Sequence, residues 1–221
     1  MPTLHLLRVF CSEDGSGGNA LGVFLDGGEV APERRQAVAA DLGLSEVVFV
    51  DDAESGTIRI FTPAVELDFA GHPSVGTAWM LDGLDSLQTQ AGELPVRREG
   101  EIVYVGARPE WGPPHDLIEL GSAEEVESLD GPPEGHDLAM AWAWLDEDAG
   151  IIRARVFPVR IGIAEDEATG SAATKLCALV GRPIDIRQGV GSRIVARPGD
   201  DGLVEIGGRS VEDDVHDYAL P

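Results

Sequence analysis

One pattern, used twice, does most to limit how this chain can fold. Residues 66–80 read ELDFAGHPSVGTAWM. Apolar Leu67, Phe69 and Ala70 run into Gly71-His72-Pro73, small residues stand at 74, 76 and 78, and apolar Trp79 and Met80 follow. A strand that stops, a tight turn and a helix that starts account for this order. Pro73 suits a first helical turn, where its missing N–H has no partner to lose, and the small side chains let the helix approach other backbone closely. Residues 163–180, IAEDEATGSAATKLCALV, repeat the scheme. A strand-like approach from Val156 to Ile163 meets small residues from Ala168 to Ala173, and a helical apolar pattern through Leu176 and Leu179 is stopped by Gly181. Two such units, far apart in the chain, predict two related halves whose helix starts face one cleft. Each start exposes unpaired N–H groups at the positive end of a helix, which is a place for an anion.

Composition narrows the partners. The chain has 221 residues, enough for one large domain or two small ones with real cores, and its 43% hydrophobic content is ordinary for a globular protein. Forty acidic residues against sixteen basic ones leave a net charge of −24. That field argues against nucleic acid or an anionic membrane as partner. It also repels anions, so a carboxylate substrate would need the local help that two helix starts give. No apolar run approaches the roughly 20 residues that cross a bilayer, and the opening MPTLHLLRVF lacks the regions of a signal peptide. Cys11 and Cys177 lie far apart in no CxxC pattern, which suggests a reducing cytoplasm and two small packed side chains.

Along the chain, strands are expected at 3–10, 19–25, 44–50 and 57–61, with a helix from Pro32 to Leu42 stopped by Gly43. Glu46 draws notice because it opens the most apolar strand of the first half: it is either an ordinary exposed strand end or an acid/base group, and in the second case desolvation would raise its pKa and ease proton exchange near neutral pH. Gly83 is expected to close the first core helix, and 93–98 with 101–106 form a hairpin around Glu99-Gly100. The proline-rich RPEWGPPHD at 108–116 is taken as the linker between halves, 1–108 and 109–221, with Trp111 packed at their junction. Ser122-Ala-Glu-Glu125 has the form of a capping box. Strands follow at 138–145, 151–157, 184–188, 193–196 and 203–206, and the acidic tail 210–221 either frays or returns to the first half. The fold class is α+β: two halves, each a curved mixed sheet wrapped on one helix.

SEVVFV at 45–50, IRIFTPAVELDFAGHPSVGTAW at 58–79, EDEATGSAA at 165–173, IRQGVGSRI at 186–194 and GNALGVFL at 18–25 together resemble the PhzF-like family. Its members are phenazine-biosynthesis-type isomerases with the diaminopimelate-epimerase-like fold. The resemblance implies two similar halves, each a barrel-like sheet around a central helix, with the active site between them. It implies a single glutamate that moves a proton within a small cyclic carboxylate, a dihydro-hydroxyanthranilate in the best understood member, with no metal and no cofactor. The matching catalytic residues are Glu46, His72, Asp166 and Ser171. The backbone at Gly71 and Gly170, with Asn19, Ser45, Ser74, Thr169 and Gln188, would line the substrate. A homodimer is the expected assembly. Two features depart from the family pattern. Glu167 stands where proline is usual, and the chain is short between the linker and residue 138.

Other chemistries fit less well. A cysteine-based racemase of this fold needs a thiol in each turn, and Cys11 and Cys177 lie outside both. Gly71 to Thr77 lacks the lysine of a phosphate-binding P-loop. His72 with Glu66 or Asp68 has no convincing metal-ligand spacing. The alternative of another class is a small-molecule binding or regulatory protein that keeps the fold without turnover.

Overall fold

The apolar, β-prone runs form strands that curl around two short helices. A computed structural model describes residues 1–221. The first half comprises β1 (Thr3–Cys11), β2 (Gly17–Phe24), α1 (Pro32–Leu42), β3 (Glu46–Asp52), β4 (Thr57–Phe61), β5 (Glu66–Leu67), α2 (Gly71–Met80), β6 (Ser86–Thr89), β7 (Gly92–Glu99) and β8 (Ile102–Ala107). Then come β9 (Asp116–Glu119), α3 (Ala123–Glu127), β10 (Ala139–Asp146), β11 (Ile151–Phe157), α4 (Gly170–Val180), β12 (Ile184–Gln188), β13 (Ser192–Pro198) and β14 (Val204–Asp217).

The strands run in the order β1-β2-β3-β4-β6-β7-β8-β14-β13-β12-β11-β10-β9, and β14 also pairs with β1. That second pairing closes β1, β2, β3, β4, β6, β7, β8 and β14 into an eight-stranded barrel. Short β5 pairs with β4 outside this path, and β9 to β13, with the first part of β14, form an open curved sheet whose free edge is β9. β14 serves both sheets: Val204 to Gly208 pair with β8, while Arg209 to Asp217 run antiparallel to β1. The acidic tail therefore returns to the first half. It is held there by a ladder, and Tyr218 beyond it is buried with its hydroxyl on Asp41.

Each sheet wraps one helix. Every residue of α2 from Gly71 to Ala78 is buried inside the barrel. Helix α4 buries Ala172, Ala173, Thr174, Leu176 and Cys177 against the second sheet. One cluster of 34 buried residues runs through both halves, and a second of nine lies under α1.

Local chemistry explains most boundaries. Pro32 opens α1, and Gly43 ends it in the left-handed conformation at φ 62. Gly181 ends α4 at φ 71 in the same way. α2 stops at Met80 rather than at Gly83, because the Leu81 N–H closes the last turn on the Thr77 carbonyl; Gly83, at φ 91, shapes the turn beyond. In α3 the Ser122 hydroxyl accepts from the Glu125 N–H at 3.2 Å, and the Glu125 carboxylate accepts from Gly121 N–H, one residue earlier than a capping box would put it. Trp111 packs on Phe69 with ring centroids 5.9 Å apart, so the proline-rich segment is pinned across the junction. Trp142 is buried, whereas Trp144 meets it edge-on and carries the Arg182 guanidinium over its other side. Both cysteines are buried free thiols.

Candidate active site

The N-termini of α2 and α4 meet head to head. A Cβ added to Gly71 would lie 2.7 Å from Gly170 Cα, and one added to Gly170 would lie 2.9 Å from Gly71 Cα. Only glycine permits this approach. Both helices also turn their hydroxyls inward: Ser74 donates to Ala70 O at 2.7 Å, Thr77 to Pro73 O at 2.8 Å and Thr174 to Gly170 O at 2.8 Å. These small residues satisfy their own polar groups and leave the helix flanks smooth enough to be buried.

Beside this junction stand three titratable groups, His72 buried and Glu46 and Asp166 half-buried. Glu46 comes from the first residue of β3, His72 from the first turn of α2 and Asp166 from the loop before α4. Glu46 Oε2 lies 3.4 Å from His72 Nε2. The geometry between them is not that of a hydrogen bond, and neither atom has another partner. The Glu46 side chain is 18% exposed and that of His72 5%, so solvent reaches the carboxyl group from one side only. Burial pushes the Glu46 carboxyl up to about 7, against a small downward pull from the Ser45 hydroxyl. Burial pushes the His72 imidazole down to about 4, only partly offset by Asp166 and by the Ala20 backbone. At neutral pH the pair is thus a neutral imidazole beside a carboxyl group able to hold or release its proton.

Asp166 is built differently. Its Oδ1 accepts from Asn19 Nδ2 at 2.7 Å and its Oδ2 from the Thr169 hydroxyl at 2.5 Å. Burial raises its pKa, these bonds and His72 oppose the rise, and the nearby Glu46 charge adds to it. Asn19 also donates to Ala168 O at 3.0 Å and accepts a long bond from Ser45 at 3.4 Å. Gln188, almost fully buried, donates to Asp166 O at 2.8 Å and to the Thr169 hydroxyl at 3.0 Å, while its Oε1 accepts from Thr169 N–H at 3.2 Å. One hydrogen-bond network, Ser45–Asn19–Asp166–Thr169–Gln188, therefore crosses from the first half to the second. The open clefts of about 470 Å³ beside Arg153 and about 550 Å³ beside Arg209 lie elsewhere on the surface.

Comparison with known proteins agrees with this architecture. The family described as "Phenazine biosynthesis-like protein" matches residues 7–108. The trans-2,3-dihydro-3-hydroxyanthranilate isomerase of Pseudomonas aeruginosa is 31% identical, over 84% of this chain and 84% of its own length. The enzyme of the same name from Pseudomonas fluorescens is 29% identical over 78% of this chain and 81% of its own. The chain belongs to the phenazine biosynthesis-like (PhzF) family. Isomerase is its enzyme class. The crystal structure of a PhzF-family protein from Enterococcus faecalis covers 99% of both chains with a TM-score of 0.81 at 21% identity, which supports the fold.

Within this PhzF-family chain, the fold brings together Glu46, His72, Asp166, Asn19, Ser45, Thr169, Gln188, Gly71 and Gly170. Ser74 and Ser171 stand apart from the network. The Ser74 hydroxyl is fully buried and engaged with its own helix. Ser171 is half-buried under the junction segment, where a Cβ on Gly112 would come within 2.7 Å of its own Cβ. Thr169 N–H is already taken by Gln188, which leaves the Gly170, Ser171 and Ala172 amides as the open donors of α4. Sequence reasoning missed the Ala20 carbonyl beside His72 and the Ala168 carbonyl beside Asn19, since backbone acceptors leave no residue signature. It also missed Ser192, which lies inside the IRQGVGSRI motif and joins the two halves.

Proposed function

We propose that this isomerase moves a proton within a small, cyclic carboxylate without a cofactor, with Glu46 as the single proton shuttle. The observation that carries this reading is the Glu46 carboxyl group, held near pKa 7 with one unpartnered oxygen beside a neutral imidazole. A base of that pKa can take a proton from carbon and return it at neutral pH. In the deprotonated state Glu46 accepts the C–H proton. The negative charge that develops on the substrate next to its carboxylate is met by the Gly71, His72, Gly170 and Ser171 amides at the two helix starts. Glu46, now a carboxylic acid that exchanges with solvent through its exposed side, gives a proton to another carbon. His72 Nε2 offers a lone pair to the protonated carboxyl and orients it. Asp166, fixed by Asn19 and Thr169, orients a polar group of the substrate. The relatives named as trans-2,3-dihydro-3-hydroxyanthranilate isomerases make that compound the first substrate to try.

The test is solvent deuterium exchange into 2,3-dihydro-3-hydroxyanthranilate and a panel of other cyclic carboxylates. Exchange by the wild type and none by Glu46→Gln, with binding retained, is the expected result. Saturable binding without exchange by the wild type would instead make the chain a binding protein on an isomerase fold.

A further inference from the structure

Glu167 follows Asp166 directly, yet its side chain serves a different part of the molecule. Its carboxylate lies under the turn between β12 and β13. There Oε1 and Oε2 accept from Val190 N–H at 2.9 and 3.1 Å, and Oε1 accepts from the Ser192 hydroxyl at 2.8 Å. Ser192 Oγ in turn accepts from Gly18 N–H at 2.8 Å. Gly18 belongs to β2 of the first half and precedes Asn19, whose amide reaches Asp166. Two consecutive residues of one half, 18 and 19, are thus tied to two consecutive residues of the other, 166 and 167. One tie is direct and the other passes through Ser192.

The turn has little else to hold it. Val190 at its apex is 96% exposed and contributes no packing. Apart from Glu167, its polar anchor is Arg153, which donates to Gly189 O at 3.0 Å. The backbones also come close here: a Cβ on Gly17 would sit 2.4 Å from Gly191 C, so the halves touch main chain to main chain. A carboxylate that accepts from two donors, the Val190 N–H shared between its oxygens and the Ser192 hydroxyl, is a stronger fastening than a neutral acceptor.

We infer that Glu167 is a positioning residue: through Ser192 its carboxylate latches β2 to the 189–191 turn and so fixes the Asn19–Asp166 pair across the site. It touches no reacting atom. The catalytic consequence of the latch rests on the proton-transfer reading above; the latch itself needs no substrate to be observed.

The experiment uses the full chain with Glu167→Ala, Glu167→Gln and Ser192→Ala. Amide hydrogen exchange at Gly18 is the first readout, because Glu167 does not contact Gly18. Glu167→Ala frees Ser192 and speeds Gly18 exchange roughly tenfold, while Val48 in the barrel core is unchanged. Glu167→Gln, which keeps one acceptor oxygen, falls between; it carries the test alone if the alanine variant does not fold. On a substrate the wild type turns over, Glu167→Ala lowers kcat by about tenfold to a hundredfold. KM stays within about twofold, Glu167→Gln restores part of the rate, and adding Ser192→Ala costs little more. Unchanged Gly18 protection in Glu167→Ala overturns the latch, and so does faster exchange with an unchanged kcat. If the wild type turns over nothing while Gly18 behaves as expected, the latch stands and the proton-transfer reading falls.

Discussion

The two halves repeat one plan and use it for different ends. In the first, a closed barrel surrounds α2, every residue from Gly71 to Ala78 is buried, and the groups facing the junction are unsatisfied: Glu46 Oε2 and His72 Nε2 have no hydrogen-bond partner. In the second, an open sheet leaves one flank of α4 uncovered, with Leu179 66% exposed, and the junction-facing groups are saturated. Asp166, Thr169 and Gln188 spend their polar atoms on each other and on Asn19. Buried polar atoms without partners are costly, and a rigid surround is what keeps them so. The closed barrel supplies that rigidity. The difference teaches that the unpartnered groups sit in the closed half, and that the more open half contributes the bonds that align them.

The largest test of this contrast is chemical. Glu46→Gln keeps the shape of the side chain and removes its proton exchange, so turnover falls by about 10²- to 10⁴-fold or more, measured as solvent deuterium exchange. Thr169→Val, a change on the aligning side, should cost less; a larger loss there than at Glu46 would reverse the assignment of roles.

Next come stability changes. Gly71→Ala forces a methyl group against the Gly170 backbone and destabilises by about 1–3 kcal/mol in urea unfolding. Leu176→Ala, on the buried side of α4, costs about 2–5 kcal/mol, whereas Leu179→Ala on its open flank changes stability by less than about 0.5 kcal/mol. Equal losses at 176 and 179 would mean that the flank is covered in solution.

A subtler test uses pH. His72 is protonated below 6.5 when unfolded and only below about 4 when folded, so the stability that depends on its neutral form is lost as pH falls between those values. Glu46 is protonated below 4.5 when unfolded and below about 7 when folded, so its contribution is lost as pH rises between those values. From 4.5 to 6.5 the two slopes oppose. Each is at most about 1.4 kcal/mol per pH unit, and they cancel. Glu46→Gln leaves the His72 slope alone, and stability then rises with pH across this window. His72→Asn leaves the Glu46 slope, and stability falls. Identical pH profiles for wild type and both variants would show that the two groups titrate normally.

The smallest effects separate the two serines. Ser74→Ala removes a buried hydrogen bond and costs about 1 kcal/mol. Ser171→Ala leaves stability within about 0.5 kcal/mol and reads out, if at all, in KM.

The paired turns, the limits of α1 and α4 and the approach of both helix starts were legible in the sequence, because glycine and proline act locally and their reasons can be read locally; the end of α2 was not, since its last turn closes on a backbone carbonyl before Gly83. Glu46 was only partly legible: a carboxylate at the mouth of an apolar strand reads more readily as an ordinary exposed end, and its burial beside His72 shows only once β3 and α2 are placed. Strand β6, from Ser86 to Thr89, was not, since SLQT has neither an apolar run nor a clean alternation and pairs through its backbone. The course of β14 was open between two outcomes, as an acidic segment reads as solvated until its partner strand β1 is known. The separation of Asp166, which faces the site, from Glu167, which faces the 189–191 turn beside it, was hidden as well. Two adjacent acids look alike until the loop that holds them is in view.

The shared strand also sets an order of events during synthesis. The barrel that carries Glu46 and His72 lacks a stave until residues 209–217 are made, because only they complete the ladder with β1. A nascent chain that has finished β8 therefore holds an unsealed cylinder, its first strand exposed along one edge. Maturation of the reactive half waits on the ribosome reaching the far side of the second.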